Sequence, residues 1–100
     1  MLHTVNKSPF ERNALDACLA RAEKGSVILL FEDAVYAVTR ETTINSKIAN
    51  AARDFKIVVL GPDLKARGYN EHQVIEGVTV INYGGFVDMV VAHGPVTAWL

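Results

Sequence analysis

Leu2-His3-Thr4-Val5-Asn6-Lys7-Ser8-Pro9-Phe10-Glu11, continued through Ala14-Leu15-Asp16-Ala17-Cys18, is the stretch on which the fold turns. Leu2 to Val5 reads as a short strand that begins almost at the first residue. Asn6 to Glu11 then leads directly into a helix. Ser8 can accept from the Glu11 amide while the Glu11 carboxylate reaches back to the Ser8 amide, a reciprocal capping box. Pro9 takes the first helical position, where a missing N–H costs nothing. Leu15, Cys18, Leu19 and Ala22 follow at i, i+3, i+4, i+7 spacing and turn one face toward a sheet. Gly25 stops the helix. Cys18 is the single cysteine. It can form no internal disulfide, so it either packs or exchanges with another molecule.

Working outward, Ser26-Val27-Ile28-Leu29-Leu30-Phe31 is a continuous apolar run, as a strand covered on both faces requires. Ala34 to Val38 suits a short helix or a strand extension, and the helix is the preferred reading. Thr42-Thr43 is placed to cap a second helix with Ile44, Ile48, Ala51 and Ala52 on one face. Lys56 to Leu60 makes a third strand, closed by Gly61-Pro62. Asp63 to Ala66 reads as a short helix, Arg67 to Asn70 as a surface loop and Val78 to Ile81 as a fourth strand. Asn82-Tyr83-Gly84-Gly85 turns into a last helix from Phe86 to about His93, ended by Gly94-Pro95. Val96 to Leu100 adds an edge strand or docks as a tail. Strands alternating with helices predict one three-layer α/β/α domain over residues 1–100, with a mostly parallel four- to five-stranded sheet of flavodoxin-like architecture and right-handed crossovers.

At 100 residues the chain has room for one core. A body this small buries roughly 65 % of its unfolded surface when it folds alone. Half of its residues are hydrophobic, so apolar surface is left over for association to cover. The net charge is −1 and the ten Lys and Arg are scattered, which argues against direct nucleic-acid binding. No signal peptide or membrane-spanning run is visible, and a lone thiol suits a reducing interior, so a cytoplasmic location is expected.

Candidate chemistry is sparse. Cys18 lies in mid-helix on the apolar face and has no CxxC partner, neighbouring cation or helix N-terminus to stabilise a thiolate. Buried packing is the better account of it from the residues alone. His3 shares a strand face with Val5; if the first helix covers that face, His3 can modulate the thiol, and otherwise it is a hydrogen-bonded core residue. Lys7 beside open helix amides would make a weak anion site. Glu32, Asp33 and Asp63 could meet at the strand ends around Mg²⁺, though nothing completes a phosphoacceptor set. The three histidines, 3, 72 and 93, have no zinc-ligand spacing. No metal or cofactor is expected. Interaction surfaces are more legible. The helix Phe86-Val87-Asp88-Met89-Val90-Val91-Ala92 is apolar almost all round, which calls for cover on more than one side. Trp99 and Leu100 are large apolar groups at the end of the chain that should pack into this domain or a neighbour. Phe86, Val87, Met89, Val90, Trp99 and Leu100 are therefore the candidate interface.

The opening Met1-Leu2-His3-Thr4-Val5-Asn6-Lys7-Ser8-Pro9-Phe10 resembles the DsrH family, whose close relatives include TusB subunits. Leu29-Leu30-Phe31-Glu32-Asp33, Leu60-Gly61-Pro62-Asp63-Leu64-Lys65-Ala66-Arg67-Gly68, Phe86-Val87-Asp88 and Ala98-Trp99-Leu100 agree with it, in order from end to end. Cys18 sits where DsrH subunits of sulfur oxidisers carry a cysteine and where TusB subunits can lack one. The resemblance implies one subunit of a DsrEFH- or TusBCD-type heterohexamer, with two copies each of DsrE-like, DsrF-like and DsrH-like chains. Such complexes relay persulfide sulfur to a DsrC- or TusE-like carrier, in sulfur oxidation or in 2-thiouridine synthesis at the tRNA wobble position. It also implies that the main active cysteine belongs to the DsrE/TusD-type chain, which leaves Cys18 an optional persulfide station. Two other readings stand beside it: a structural scaffold without thiol chemistry, and a small ligand-responsive domain using the acids at its strand ends.

Overall fold

A computed structural model describes residues 1–100. Five strands, β1 (Leu2–Val5), β2 (Val27–Leu30), β3 (Lys56–Leu60), β4 (Val78–Ile81) and β5 (Val96–Trp99), form one sheet in the order β4-β3-β2-β1-β5. Every neighbouring pair is parallel. The helices are α1 (Ala14–Arg21), α2 (Asn45–Ala51), α3 (Gly61–Ala66) and α4 (Tyr83–His93), with 3₁₀ segments at Glu32–Ala37 and Glu71–Gln73. The α/β class, the parallel sheet and the edge position of the last strand agree with the sequence reading.

Strand alternation divides the apolar residues between two faces. Val5, Ile28, Leu30, Ile57 and Val59 point to one side, where Leu15 and Cys18 of α1, Val35 and Val38, Ile48 of α2 and Leu64 of α3 cover them in the main core. Leu2, Val27, Leu29 and Val58 point to the other side and meet only Phe86 and Met89 of α4, with Ile81 alongside. The cover is therefore lopsided. Four segments seal one face and a single helix crosses the other.

Several local expectations are corrected. The first helix starts at Ala14, not at Pro9, and its first turn has no side-chain cap. Ser8 Oγ accepts from the Phe10 amide at 3.2 Å, and the Ser8 carbonyl takes the Glu11 and Arg12 amides at 3.1 and 3.0 Å. Ser8 to Arg12 thus closes as an isolated turn in place of the capping box. The helix ends at Arg21, and Gly25, at φ +90°, serves the turn into β2. The Thr42 hydroxyl does not cap α2; the Asn45 amide, the first of the helix, donates instead to the Thr42 carbonyl at 3.3 Å. The Asn45 side chain donates to the Thr39 carbonyl and Thr42 Oγ1, both at 2.9 Å, and accepts from the Thr42 amide at 3.2 Å. The short third helix begins at Gly61. The last helix begins at Tyr83, where Asn82 Oδ1 accepts from the Gly85 amide at 2.8 Å. Gly84 and Gly85 therefore lie inside its first turn.

Candidate functional site

His3 is held at the middle of β1 under α1 and is 4 % exposed. The parallel register sets His3 opposite Thr97 and Val5 opposite Trp99, so the Trp99 ring can reach back along its own face. Its Nε1–H donates to His3 Nδ1 at 3.0 Å, with the ring centroids 6.1 Å apart. An accepting Nδ1 places the proton of the neutral imidazole on Nε2. That Nε2 is buried without a partner. Burial, reinforced by the nearby N-terminal charge, holds the His3 pKa below its ordinary 6.5.

Cys18 enters the same layer from α1 and is 0 % exposed. Burial pushes its thiol up to about 12, far above the range in which a thiolate forms at neutral pH. The unpartnered His3 Nε2 makes no hydrogen bond to it. In this arrangement Cys18 is a small apolar packing group, and His3 orients Trp99.

The acids at the strand ends are drawn together and engaged in the fold. Asp63 Oδ2 accepts from the Glu32 amide at 2.6 Å. Asp33 Oδ1 takes Arg67 Nε and an Arg67 terminal nitrogen at 3.0 and 2.9 Å. These bonds tie α3 to the Glu32–Ala37 segment, whose first residue sits at φ +47°. No group of three or more His, Cys, Asp or Glu side chains stands close enough to hold a metal ion. Lys7 is exposed, and the hydroxyl of neighbouring Ser8 is occupied as described. A shallow cavity of about 530 Å³ opens at the carboxyl ends of β3 and β4, between Pro62, Lys65, Tyr69, Val80 and Asn82.

The least finished surface is α4, which has no buried residue. Phe86 and Met89 are half-buried against the sheet, whereas Val87 is 60 % and Val91 81 % exposed. Val90 and Tyr83 complete an outward apolar stripe at i, i+4, i+7, i+8 spacing. Trp99 is half-buried on His3, and Leu100 projects into solvent. Among the residues named from the sequence, Val87, Val90 and Leu100 thus face outward, while Phe86, Met89 and Trp99 pack into the chain itself. Tyr83, Val91 and Val96 are exposed apolar groups that the sequence reading did not single out. Helical spacing from Val87 would have found the first two.

A family model described as "DsrH like protein" matches residues 7–96. Protein TusB of Pectobacterium parmentieri is 34 % identical over 99 residues, covering 99 % of this chain and all of the relative. Protein TusB of Yersinia pestis (strain Pestoides F) is 37 % identical over 100 residues, with the same coverage. Among solved structures, the ychN protein from E. coli superposes with a TM-score of 0.79 at 16 % identity, covering 98 % of this chain and 97 % of that one. MTH1491 from Methanobacterium thermoautotrophicum, titled a protein of unknown function, gives 0.72 at 13 % identity, covering 97 % and 95 %. The structural likenesses speak to the fold alone. The full-length sequence relatives and the family match speak to descent: this chain belongs to the DsrH family.

Proposed function

We propose that the chain is an architectural subunit of a DsrEFH- or TusBCD-type sulfur-relay complex in the cytoplasm, docked to DsrE-like and DsrF-like chains in a heterohexamer. In that assembly the persulfide travels on the DsrE-like partner toward a DsrC- or TusE-like carrier, for sulfur oxidation or for wobble-uridine thiolation. Membership of the DsrH family supports the assembly. The observation that carries the division of labour is the state of Cys18, sealed in the core with its thiol pushed up to about 12. A thiol so placed neither attacks a persulfide donor nor meets a carrier without local unfolding. The outward stripe Tyr83, Val87, Val90 and Val91 supplies a docking surface of the kind a subunit needs.

Size-exclusion chromatography of this chain with DsrE- and DsrF-like partners tests the assembly, and mass spectrometry after loading with a persulfide donor tests the division of labour. One co-eluting complex is expected, with the added sulfur on the DsrE-like partner. Separate elution would end the subunit reading. Added sulfur on Cys18 within the folded complex would replace the architectural role with a carrier role.

A further inference from the structure

The outer edge of β5 has no partner, and its backbone parity is determined. The Leu2 amide donates to the Pro95 carbonyl at 3.3 Å, and Leu2 stands opposite Val96. In a parallel ladder this turns both backbone groups of Thr97 toward β1 and both groups of Val96 and Ala98 away from the sheet. β5 closes the strand order, and nothing within the chain bonds the outward groups. Natural edges of this kind are blunted by lysine, proline, a bulge or a covering segment. Val96-Thr97-Ala98-Trp99-Leu100 contains no charge and no proline.

The same parity makes the edge complementary to itself. An antiparallel copy centred on Ala98 places Ala98 opposite Ala98 of the second copy, so that each amide donates to the other carbonyl. It also places Val96 opposite Leu100 of the second copy, again as a hydrogen-bonded pair, and the two-fold axis repeats that pair. The side chains at 96, 98 and 100 share the face that α4 occupies. There Val96 is 44 % and Leu100 81 % exposed, and pairing would cover both. Ala98 at the axis leaves room for close approach. Centring the pair on Thr97 would keep the bonds between Val96 and Ala98 of the two copies but set Leu100 opposite Gly94 instead of Val96. An axis between residues would face outward groups with inward ones and lose every bond. We propose that β5 is a homotypic docking edge: its occupant is β5 of a second copy of this chain, antiparallel about Ala98, which continues the sheet across a two-fold axis. The edge is distinct from the outward stripe of α4, and the proposal does not rest on the sulfur-relay reading.

Sedimentation velocity of the full chain, alone and over a concentration series, tests it against Ala98→Pro and Leu100→Lys. Proline at 98 removes only an outward amide and leaves the β1–β5 ladder intact. Leu100→Lys places a charge on the apolar pair without touching the core. A dimer is expected for the unsubstituted chain, with slow amide exchange at Val96 and Ala98. Both variants should lose the dimer and exchange those amides quickly, with unchanged far-UV circular dichroism. A wild-type chain that stays monomeric across the series, or variants that dimerise as it does, would overturn the proposal. If Ala98→Pro fails to fold, Leu100→Lys decides alone.

Discussion

Trp99 donates its indole N–H to His3 Nδ1 at 3.0 Å, joining the last strand to the first across almost the whole chain. The bond exists only while Nδ1 is unprotonated, so it couples the seating of β5 to the charge state of His3. Burial keeps the folded-state pKa of His3 below the ordinary 6.5. Below about pH 6.5 the unfolded chain binds the proton more readily than the folded one. Stability from this site is therefore complete above that pH and declines as pH falls from it toward the lowered folded value. Urea midpoints measured between about pH 8 and about pH 5 should fall for the wild type relative to His3→Asn, which keeps an acceptor but does not titrate. Parallel curves would contradict the coupling.

Cys18 should resist alkylation in the folded protein at pH near 8, because burial holds its thiol at about 12. Its modification rate should rise with urea in step with global unfolding. Cys18→Ala should cost about 1 kcal/mol through a small cavity. Rapid labelling of the native chain in the absence of denaturant would refute the sealed-thiol description.

Gly84 and Gly85 should both fall short of the usual helix rule, by which Gly→Ala in a helix gains about 0.8–1.0 kcal/mol, and only Gly85 should reverse its sign. A Cβ on Gly85 would stand 3.0 Å from the Cβ of Ile81, on the strand that α4 follows. Gly85→Ala should therefore lose about 1–2 kcal/mol in chemical denaturation. At Gly84 the nearest atom is the end of the Asn82 side chain, 3.3 Å away. There the helical gain offsets the displacement, and the change should stay within about 0.5 kcal/mol.

The two sides of α4 should separate folding from association. Phe86→Ala, on the side packed against Leu2, Leu29 and Val58, should cost about 2 kcal/mol for a half-buried aromatic. Val91→Lys, on the side that is 81 % exposed, should leave stability within about 0.5 kcal/mol and abolish co-elution with the partner chains. Co-elution that survives Val91→Lys together with Val87→Lys would place the docking surface elsewhere.

The strands were legible because a parallel strand covered on both faces must be apolar throughout, and Val27-Ile28-Leu29-Leu30 and Ile57-Val58-Val59-Leu60 have no other reading. The alternation of those runs with helical segments determined the α/β class. Helix starts were less legible. Ser8-Pro9-Phe10-Glu11 carries every local mark of a capping box, yet closes as a turn, since its hydroxyl serves the Phe10 amide and α1 waits until Ala14. Local pattern states which bonds are available, and packing selects among them.

The candidate site follows the same division. From composition and order alone came the family resemblance, the surplus of apolar surface, the solitary thiol and the apolar last helix. Tertiary structure decided what those residues do. The β1–β5 register brings Trp99 onto His3, α1 seals Cys18 against the sheet, and the crossing of α4 turns Phe86 and Met89 inward while Val87 and Val91 turn out. A helix apolar on every side carries no polar stripe to mark its buried face, so its orientation is settled only by the sheet it crosses.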